Sequence, residues 1–106
     1  MQPIESWVRD LWQSPDDTLG LPGVGKALWT SKELCILYYG LSDTDISPNQ
    51  IKAMANGLRN QGFTQANEGK LIRRGDGSQA DRFWVIRHRD RSWDLNQCVA
   101  HFRSHK

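Results

Sequence analysis

Polar side chains that can recognise nucleic acid recur along one face of residues 47–62, whose sequence is SPNQIKAMANGLRNQG. The members of this polar face are Asn49, Lys52, Ala53, Asn56 and Asn60, with Arg59 at its flank. Amide, ammonium and guanidinium groups hydrogen-bond to base edges in the DNA major groove and bind phosphates. Because the face carries no acid that would repel a phosphate, we predict that it contacts DNA.

The segment that carries the polar face is predicted to be a helix because both of its ends are encoded locally. Ser47 is a suitable N-cap, Pro48 suits the first helical position, and Gln50 completes a capping box. Gly62 can adopt the left-handed conformation that ends a helix. The inward face has apolar residues at helical spacing, namely Ile51, Met54, Ala55 and Leu58. Gly57 costs about 1 kcal/mol relative to alanine in mid-helix, which indicates close approach of another helix or of the DNA backbone.

Another predicted helix lies just before this one in the chain. Thr30 and Glu33 are spaced as a capping box, and Gly40 is a stop signal, so we predict a helix over residues 31–40. Its inward stripe is predicted to be Leu34, Leu37, Tyr38 and then Leu41. The sequence LSDTDI supplies a turn between the two helices. Two helices joined by a short turn, the second with a polar face, are typical of a helix-turn-helix.

A basic β-hairpin is predicted after the second helix. Residues 70–74 (KLIRR) and 82–87 (RFWVIR) have strand-like composition and flank a Gly-Asp-Gly-Ser turn. The stretch from Lys70 to Arg91 holds seven basic residues and three acids, although the whole chain has a net charge of only +2. We expect the hairpin to contact the DNA backbone or minor groove. Its predicted contact residues are Lys70, Arg73, Arg74 and Arg82.

Together these elements predict an α+β fold in a single domain spanning residues 1–106. The predicted architecture is a winged helix, meaning a helix-turn-helix followed by a two- or three-stranded hairpin wing, with extra helices at both ends. We place an N-terminal helix at residues 1–14, a loop at 15–29, the winged-helix core at 30–88 and a C-terminal helix at 93–104. The apolar face of the C-terminal helix is predicted to be Leu95, Cys98, Val99 and Phe102.

Two resemblances bear on this architecture. Residues 21–27 (LPGVGKA) resemble the hairpin of a helix-hairpin-helix DNA-binding motif, but the new helix start at Thr30 favours a plain connecting loop. The order WTSKEL, LRNQGF, KLIRRGDG and RFWVI resembles the winged helix at the C-terminus of phage and plasmid primase–helicases and virulence-associated protein E family replication proteins. The matching positions are the helix cap Thr30, the helix stop Gly62, and Trp84 with Val85 at the close of the hairpin.

The second resemblance implies a winged helix that binds double-stranded DNA, at a replication origin in a phage or plasmid. The helicase and primase domains of that family have no counterpart in these 106 residues, so the resemblance implies no catalytic chemistry. Two alternatives stay open. A protein-interaction module, such as a small phage-encoded inhibitor or adaptor, would use Trp7 and Trp12, which also offer a surface for self-association or for a larger replication protein. A transcriptional regulator would use the same DNA-binding surface.

The sequence predicts no enzyme activity, cofactor or metal site. The pairs His88–Asp90 and Cys98–His101 have residue types suited to acid–base or nucleophilic chemistry, but we expect the C-terminal histidines on an exposed helix end. Cys35 and Cys98 are predicted to be buried free thiols, and there is no CxxC pair. The short apolar runs and the acidic N-terminal segment predict a cytoplasmic protein with no membrane partner.

Overall fold

The computed structural model describes residues 2–20, 26–74 and 79–104, which form an α+β fold. In chain order the elements are α1 (Ile4–Gln13), α2 (Pro15–Leu19), β1 (Leu28–Trp29), α3 (Ser31–Tyr39), α4 (Pro48–Gln61), β2 (Ile72–Arg73), β3 (Ala80–Asp81), β4 (Trp84–Val85) and α5 (Leu95–Ser104). The strands form two antiparallel pairs, β1 with β4 and β2 with β3. In these ranges no helix combines the length and the apolar character that a membrane crossing requires.

The predicted ends of α3 and α4 are confirmed. The Ser47 hydroxyl accepts from the Gln50 N–H at 3.2 Å, and the Gln50 side chain accepts from the Ser47 N–H at 2.8 Å. Thr30 and Glu33 form the same reciprocal pair at the start of α3. Gly62 follows α4 with a φ of 114°, in the left-handed region that favours glycine. Local hydrogen-bonding groups therefore fix both helices where the sequence predicts them.

Helix α1 packs on α4 at Gly57. A Cβ atom on Gly57 would lie 3.0 Å from Ile4 Cγ2 and 3.6 Å from Val8 Cγ2. The close approach that this glycine indicates is therefore made by another helix of the same chain. Val8 and Leu11 of α1 are fully buried, as are Met54 and Leu58 of α4. Burying side chains of this size contributes about 1.5–3 kcal/mol each to folding.

Strand β4 is central to both halves of the core. Leu28 pairs with Val85 and Trp29 pairs with Trp84 on one edge. On the other edge the Val85 N–H donates to the Thr64 carbonyl at 3.0 Å. Side chains along a strand alternate between its faces. Accordingly Trp29 and Trp84 pack with the helical cluster of α1, α3 and α4, whereas Leu28 and Val85 pack in a second cluster with α5.

Helix α5 closes the second cluster, and its buried face differs from the predicted one. Cys98 and Phe102 are buried as predicted, but Leu95 is 49% exposed and Val99 is half-buried. His101, predicted at an exposed helix end, is instead buried at 9% exposure. Its Nε2 accepts a hydrogen bond from the backbone N–H of Ala27 at 3.2 Å. This long-range partner satisfies the imidazole inside the core, which helix periodicity alone cannot indicate.

The segment predicted as a loop at residues 15–29 contains regular structure at both ends. Pro15 occupies the first turn of α2, where its missing N–H costs nothing, so it starts a helix after ending α1. Leu28 and Trp29 form β1 because β4 pairs with them. Residues 21–25, which hold most of the LPGVGKA segment, and the predicted turn at 75–78 lie outside the described residues.

The hairpin forms with a different second strand from the predicted one. Ile72 pairs with Asp81 and Arg73 with Ala80, so the strand opposite β2 ends before residues 82–87. The buried run that follows is used by the β1–β4 pair instead. In α3 the inward stripe also shifts. Leu34 and Cys35 are fully buried while Leu37 and Leu41 are 39% and 38% exposed, so the prediction for the two outer leucines was wrong.

The contact at Gly57 makes a large side chain there destabilising. We expect Gly57→Leu to lower the free energy of unfolding by about 1–3 kcal/mol, because the new side chain must displace α1. The matched control is Ala53→Leu, on the exposed face of the same helix, which should change it by less than about 0.5 kcal/mol. Urea unfolding followed by circular dichroism measures both. Equal stability of the two variants would contradict the helix contact.

Candidate nucleic-acid interface

The polar face of α4 is exposed along its whole length. All six of its residues are exposed to solvent, namely Asn49, Lys52, Ala53, Asn56, Arg59 and Asn60. The helix sequence contains no acid, whereas α1 to α3 each carry at least one in the first turn. The buried residues Met54 and Leu58 fix which side of α4 faces inward. The burial pattern therefore presents the predicted donors outward on one helical surface.

Two members of the polar face are bonded to each other. Arg59 donates from Nη1 to the side-chain oxygen of Asn56 at 3.2 Å. The Arg59 guanidinium also lies 5.8 Å from the centre of the Trp84 ring, so it leans toward β4. This arrangement directs the Asn56 side-chain oxygen toward Arg59 and places the Arg59 charge at the flank of the face. An amide with an adjacent cation has the groups for a base contact beside a phosphate contact.

The four predicted hairpin residues have different environments. Lys70 lies 3.8 Å from the exposed carboxylate of Glu68, a distance and exposure that give a weak ion pair. Arg73 is exposed in β2. Arg82 donates from Nε to the Gly69 carbonyl at 3.0 Å. This bond places its guanidinium beside the 3₁₀ turn Ala66–Gly69, which lies between α4 and β2. Arg74 is half-exposed and bonded to α3.

A groove of ≈ 770 Å³ separates the hairpin from the helices. Arg74 and Arg82 line it from the hairpin side, together with Leu71, which is 53% exposed. Helix α4 lines it with Ile51 and Ala55, the half-buried flank of its inward face. The structure thus brings Arg74 and Arg82 to one groove, whereas the polar face of α4 lies outside the groove lining.

Glu33 is predicted only as part of the α3 capping box, but it also binds Arg74 of the hairpin segment. Its Oε1 accepts from the Thr30 N–H and from Arg74 Nη2, both at 2.9 Å, and its Oε2 accepts from Lys26 Nζ at 2.7 Å. The contact between Glu33 and Arg74 spans 41 residues of sequence. No periodicity or motif signals a pair at that separation.

The surroundings of Glu33 favour its ionised form. Burial acts to raise the pKa of this carboxyl. Hydrogen bonds from Lys26 and the Thr30 backbone, and the positive charges of Lys26 and Arg74, together outweigh burial and hold the pKa below its ordinary value of 4.5. Glu33 therefore remains a carboxylate at neutral pH and ties the start of α3 to the segments on either side of it.

The tryptophans of α1 have partners within the chain. The Trp7 ring lies 5.5 Å from the Tyr38 ring, and the Trp12 ring meets Phe63 edge-on at 4.9 Å. The Arg89 guanidinium covers Trp12 at 3.6 Å from the ring centre. Both tryptophans are half-buried. These contacts match the packing of an N-terminal helix on its own core.

The residues suited to nucleophilic chemistry are engaged with backbone groups. Burial, reinforced by the charge of Asp94, raises the pKa of the Cys98 thiol, the direction opposite to that of an activated nucleophile. Burial likewise raises the pKa of Cys35 to about 11, and its thiol donates to the Gln50 carbonyl at 3.4 Å. Both cysteines are free. Within the described parts of the chain, no group of three or more His, Cys, Asp or Glu side chains is placed to hold a metal ion.

The depressed pKa of Glu33 predicts a pH-dependent contribution to stability. Its stabilising ionised contacts exist above the ordinary carboxyl pKa of 4.5 and are lost as the pH falls through the lower folded-state pKa. Glu33→Gln should therefore cost about 1–2 kcal/mol of unfolding free energy at pH 7. The difference from the unsubstituted protein should shrink as the pH falls below 4.5. Glu68→Gln, in the exposed pair with Lys70, is the control. A pH-independent deficit for Glu33→Gln in urea unfolding would contradict the assignment.

Comparison with known proteins adds no relative to these observations. No family model matches the chain, and neither a curated protein nor a solved structure matches it.

Proposed function

We propose that the chain is a cytoplasmic winged-helix module that binds double-stranded DNA, with α4 as the recognition helix and the β2–β3 hairpin as the wing. The observation that carries the proposal is the exposed, acid-free polar face of the doubly capped α4. Amide and cationic groups on one helix face match the donor requirements of the major groove and its phosphates. The donors belong to Asn49, Lys52, Asn56, Arg59 and Asn60, and Ala53 on the same face offers a methyl group for contact with a thymine methyl.

The order of elements supports the winged-helix part of the proposal. Strand β1 lies between the N-terminal helices and α3, and it pairs with β4 at the end of the hairpin segment. The chain that leaves α4 runs along the other edge of β4, where Gln65 bridges to Trp84. In a winged helix the same order, helix, strand, two helices and hairpin, sets the wing beside the recognition helix. The groove of ≈ 770 Å³ supports such a placement because Ile51 and Ala55 of α4 line it together with Arg74 and Arg82.

A role in replication is the more specific form of the proposal. The positions that carry the resemblance to replication proteins, Thr30, Gly62, and Trp84 with Val85, serve as the α3 cap, the α4 stop and strand β4. These positions therefore support the proposed winged-helix fold and give no direct support to a role in replication. A helicase or primase region fused to the chain, or encoded beside it, would favour origin binding. A binding site upstream of its own gene would favour transcriptional control.

The docking alternative rests on the tryptophans of α1. Trp7 and Trp12 are half-buried against Tyr38 and Phe63, so their rings offer a partner only part of their surface. The exposed large apolar side chains of the described residues lie on or just after α3, before β2 and on α5, and not on α1; they are Leu37, Leu41, Leu71 and Leu95. The described contacts thus favour DNA over docking through the N-terminal helix.

DNA binding through the hairpin should depend steeply on salt. Each phosphate neutralised by a cation adds about 0.9 to the slope of log affinity against log salt. Lys70→Ala and Arg73→Ala should each lower that slope by about 0.9 and weaken all duplexes alike. Fluorescence anisotropy of labelled duplexes between low and moderate salt measures this.

The control for the salt experiment is Arg103→Ala. Arg103 is exposed in the last turn of α5, outside both α4 and the β2–β3 hairpin. Its removal should leave the slope unchanged. Absence of salt-dependent binding to any duplex at low ionic strength would overturn the proposed function.

The polar face of α4 should determine which sequence is bound. After a preferred duplex is selected from a random library, Lys52→Ala and Asn56→Ala should each change the preference at one or two base positions. The expected cost on the preferred duplex is about 1–3 kcal/mol per base contact, with little change on random duplexes. Asn96→Ala, an exposed amide on α5, is the matched control. Equal losses on every duplex would exclude α4 from the major groove.

A further inference from the structure

The arginine nearest to the hairpin turn is held by a helix of the same chain. Arg74 follows β2, and its Nη2 lies 2.9 Å from Glu33 Oε1. Its guanidinium carbon also lies 4.9 Å from the centre of the Phe83 ring, and its side chain is 40% exposed. The charge is therefore turned toward α3, across the groove that separates the hairpin from the helices.

The carboxylate that holds Arg74 is itself fixed. Glu33 completes the capping box of α3 through the Thr30 N–H, and it also binds Lys26 at 2.7 Å. Its side chain is only 23% exposed, so its charge interactions are screened less than those of a surface pair. To release Arg74 by moving away, Glu33 would have to give up the helix cap. The cap and the Lys26 contact thus hold the acceptor beside Arg74.

We infer that Glu33 competes with DNA phosphate for Arg74 and thereby sets the affinity of the hairpin for DNA. This inference rests on the proposed function. The carboxylate and a phosphate oxygen are both anionic acceptors for the same guanidinium, and the carboxylate is already hydrogen-bonded. Arg74 is then largely neutralised within the protein, and the other hairpin cations supply the backbone contacts. Glu33 is a positioning residue in this arrangement because it acts through Arg74.

Lys26 does not take over the role of the released arginine. Its ammonium lies 4.2 Å from the centre of the Trp29 ring, and its side chain is 25% exposed. It lies before β1 and binds Glu33 Oε2, whereas Arg74 binds Oε1. Loss of the carboxylate therefore makes one cation, Arg74, available to a phosphate.

The first test is Glu33→Gln, which removes the charge and keeps an acceptor for the cap. Glutamine completes a capping box, as Gln50 does in α4. The slope of log affinity against log salt should rise by about 0.9, and affinity at 0.1 M salt should rise about eightfold for all duplexes. In a Glu33→Gln background, Arg74→Ala should reverse both changes. Anisotropy titrations on one labelled random duplex measure the unsubstituted chain, Glu33→Gln and the double variant.

The second test does not depend on the folding of the Glu33 variant. In the otherwise unsubstituted chain, Arg74→Ala should change affinity less than about twofold and leave the salt slope unaltered, while Arg73→Ala lowers the slope by about 0.9. If Arg74→Ala lowers the slope as much as Arg73→Ala does, Arg74 already contacts phosphate and the inference is wrong.

The control for net charge is Asp16→Asn. Asp16 is paired with Arg87 at 2.5 Å, so this change also removes a carboxylate charge beside an arginine and makes the net charge more positive by one. The Arg87 side chain is only 10% exposed and also donates to the Lys26 carbonyl, so it should not become available to a phosphate. Asp16→Asn should leave the salt slope near that of the unsubstituted chain. An equal rise of the slope in Asp16→Asn and Glu33→Gln would mean that net charge alone causes the effect, and it would overturn the inference. If the unsubstituted chain binds DNA and Glu33→Gln binds with the same slope, the inference fails alone. If neither binds any duplex at low salt, the proposed function fails.

Discussion

The antiparallel pairing of β1 with β4 is the interaction on which the rest of the structure depends. Residues 83–86 are all buried, because β4 has a neighbour on each edge and packed side chains on each face. Strand alternation sends Trp84 to the helical cluster and Val85 to the cluster of α5. A strand covered on both faces has an unbroken apolar run instead of alternation. The four residues Phe-Trp-Val-Ile therefore join two cores that neither group of helices could join alone.

The orientation of α4 follows from that pairing. The Trp84 indole N–H donates to Ser31 Oγ at 2.8 Å, which ties β4 to the first residue of α3. Helix α3 packs on α4, and the Cys35 thiol reaches the Gln50 carbonyl. On its other side α4 meets α1 at Gly57. A helix held by a strand-anchored helix and by a second helix has little freedom to rotate, so its exposed face is fixed before any ligand arrives.

Sequence pattern predicts well what is local and poorly what is distant. The capping boxes at Thr30 and Ser47, and the six exposed residues of α4, follow from spacing within one helix turn or one helix face. Trp84 pairs with Trp29, which lies 55 residues earlier in the chain, and no pattern in either segment predicts this pairing. The same holds for the candidate site. The sequence predicts the cations of the hairpin. It does not predict the ion pair between Arg74 and Glu33, because that contact depends on tertiary structure. His101 was misjudged for this reason too, since its acceptor role needs the Ala27 N–H.

The two halves of the proposed interface are anchored in different cores. Helix α4 is anchored by Met54 and Leu58 in the helical cluster, whereas β2 is anchored by Ile72, 2% exposed, in the cluster with α5. Because alternate residues of a strand face opposite sides, burying Ile72 turns Arg73 outward. The placement of the α4 face relative to the hairpin then depends on the paired strands β1 and β4, whose residues pack in both clusters. Ordering a flexible surface on binding costs free energy. A proposed interface whose two halves are both anchored to these paired strands should incur little of that cost. The Glu33–Arg74 contact crosses the groove with hydrogen-bond geometry, and it is the contact that we infer adjusts the affinity of the proposed interface.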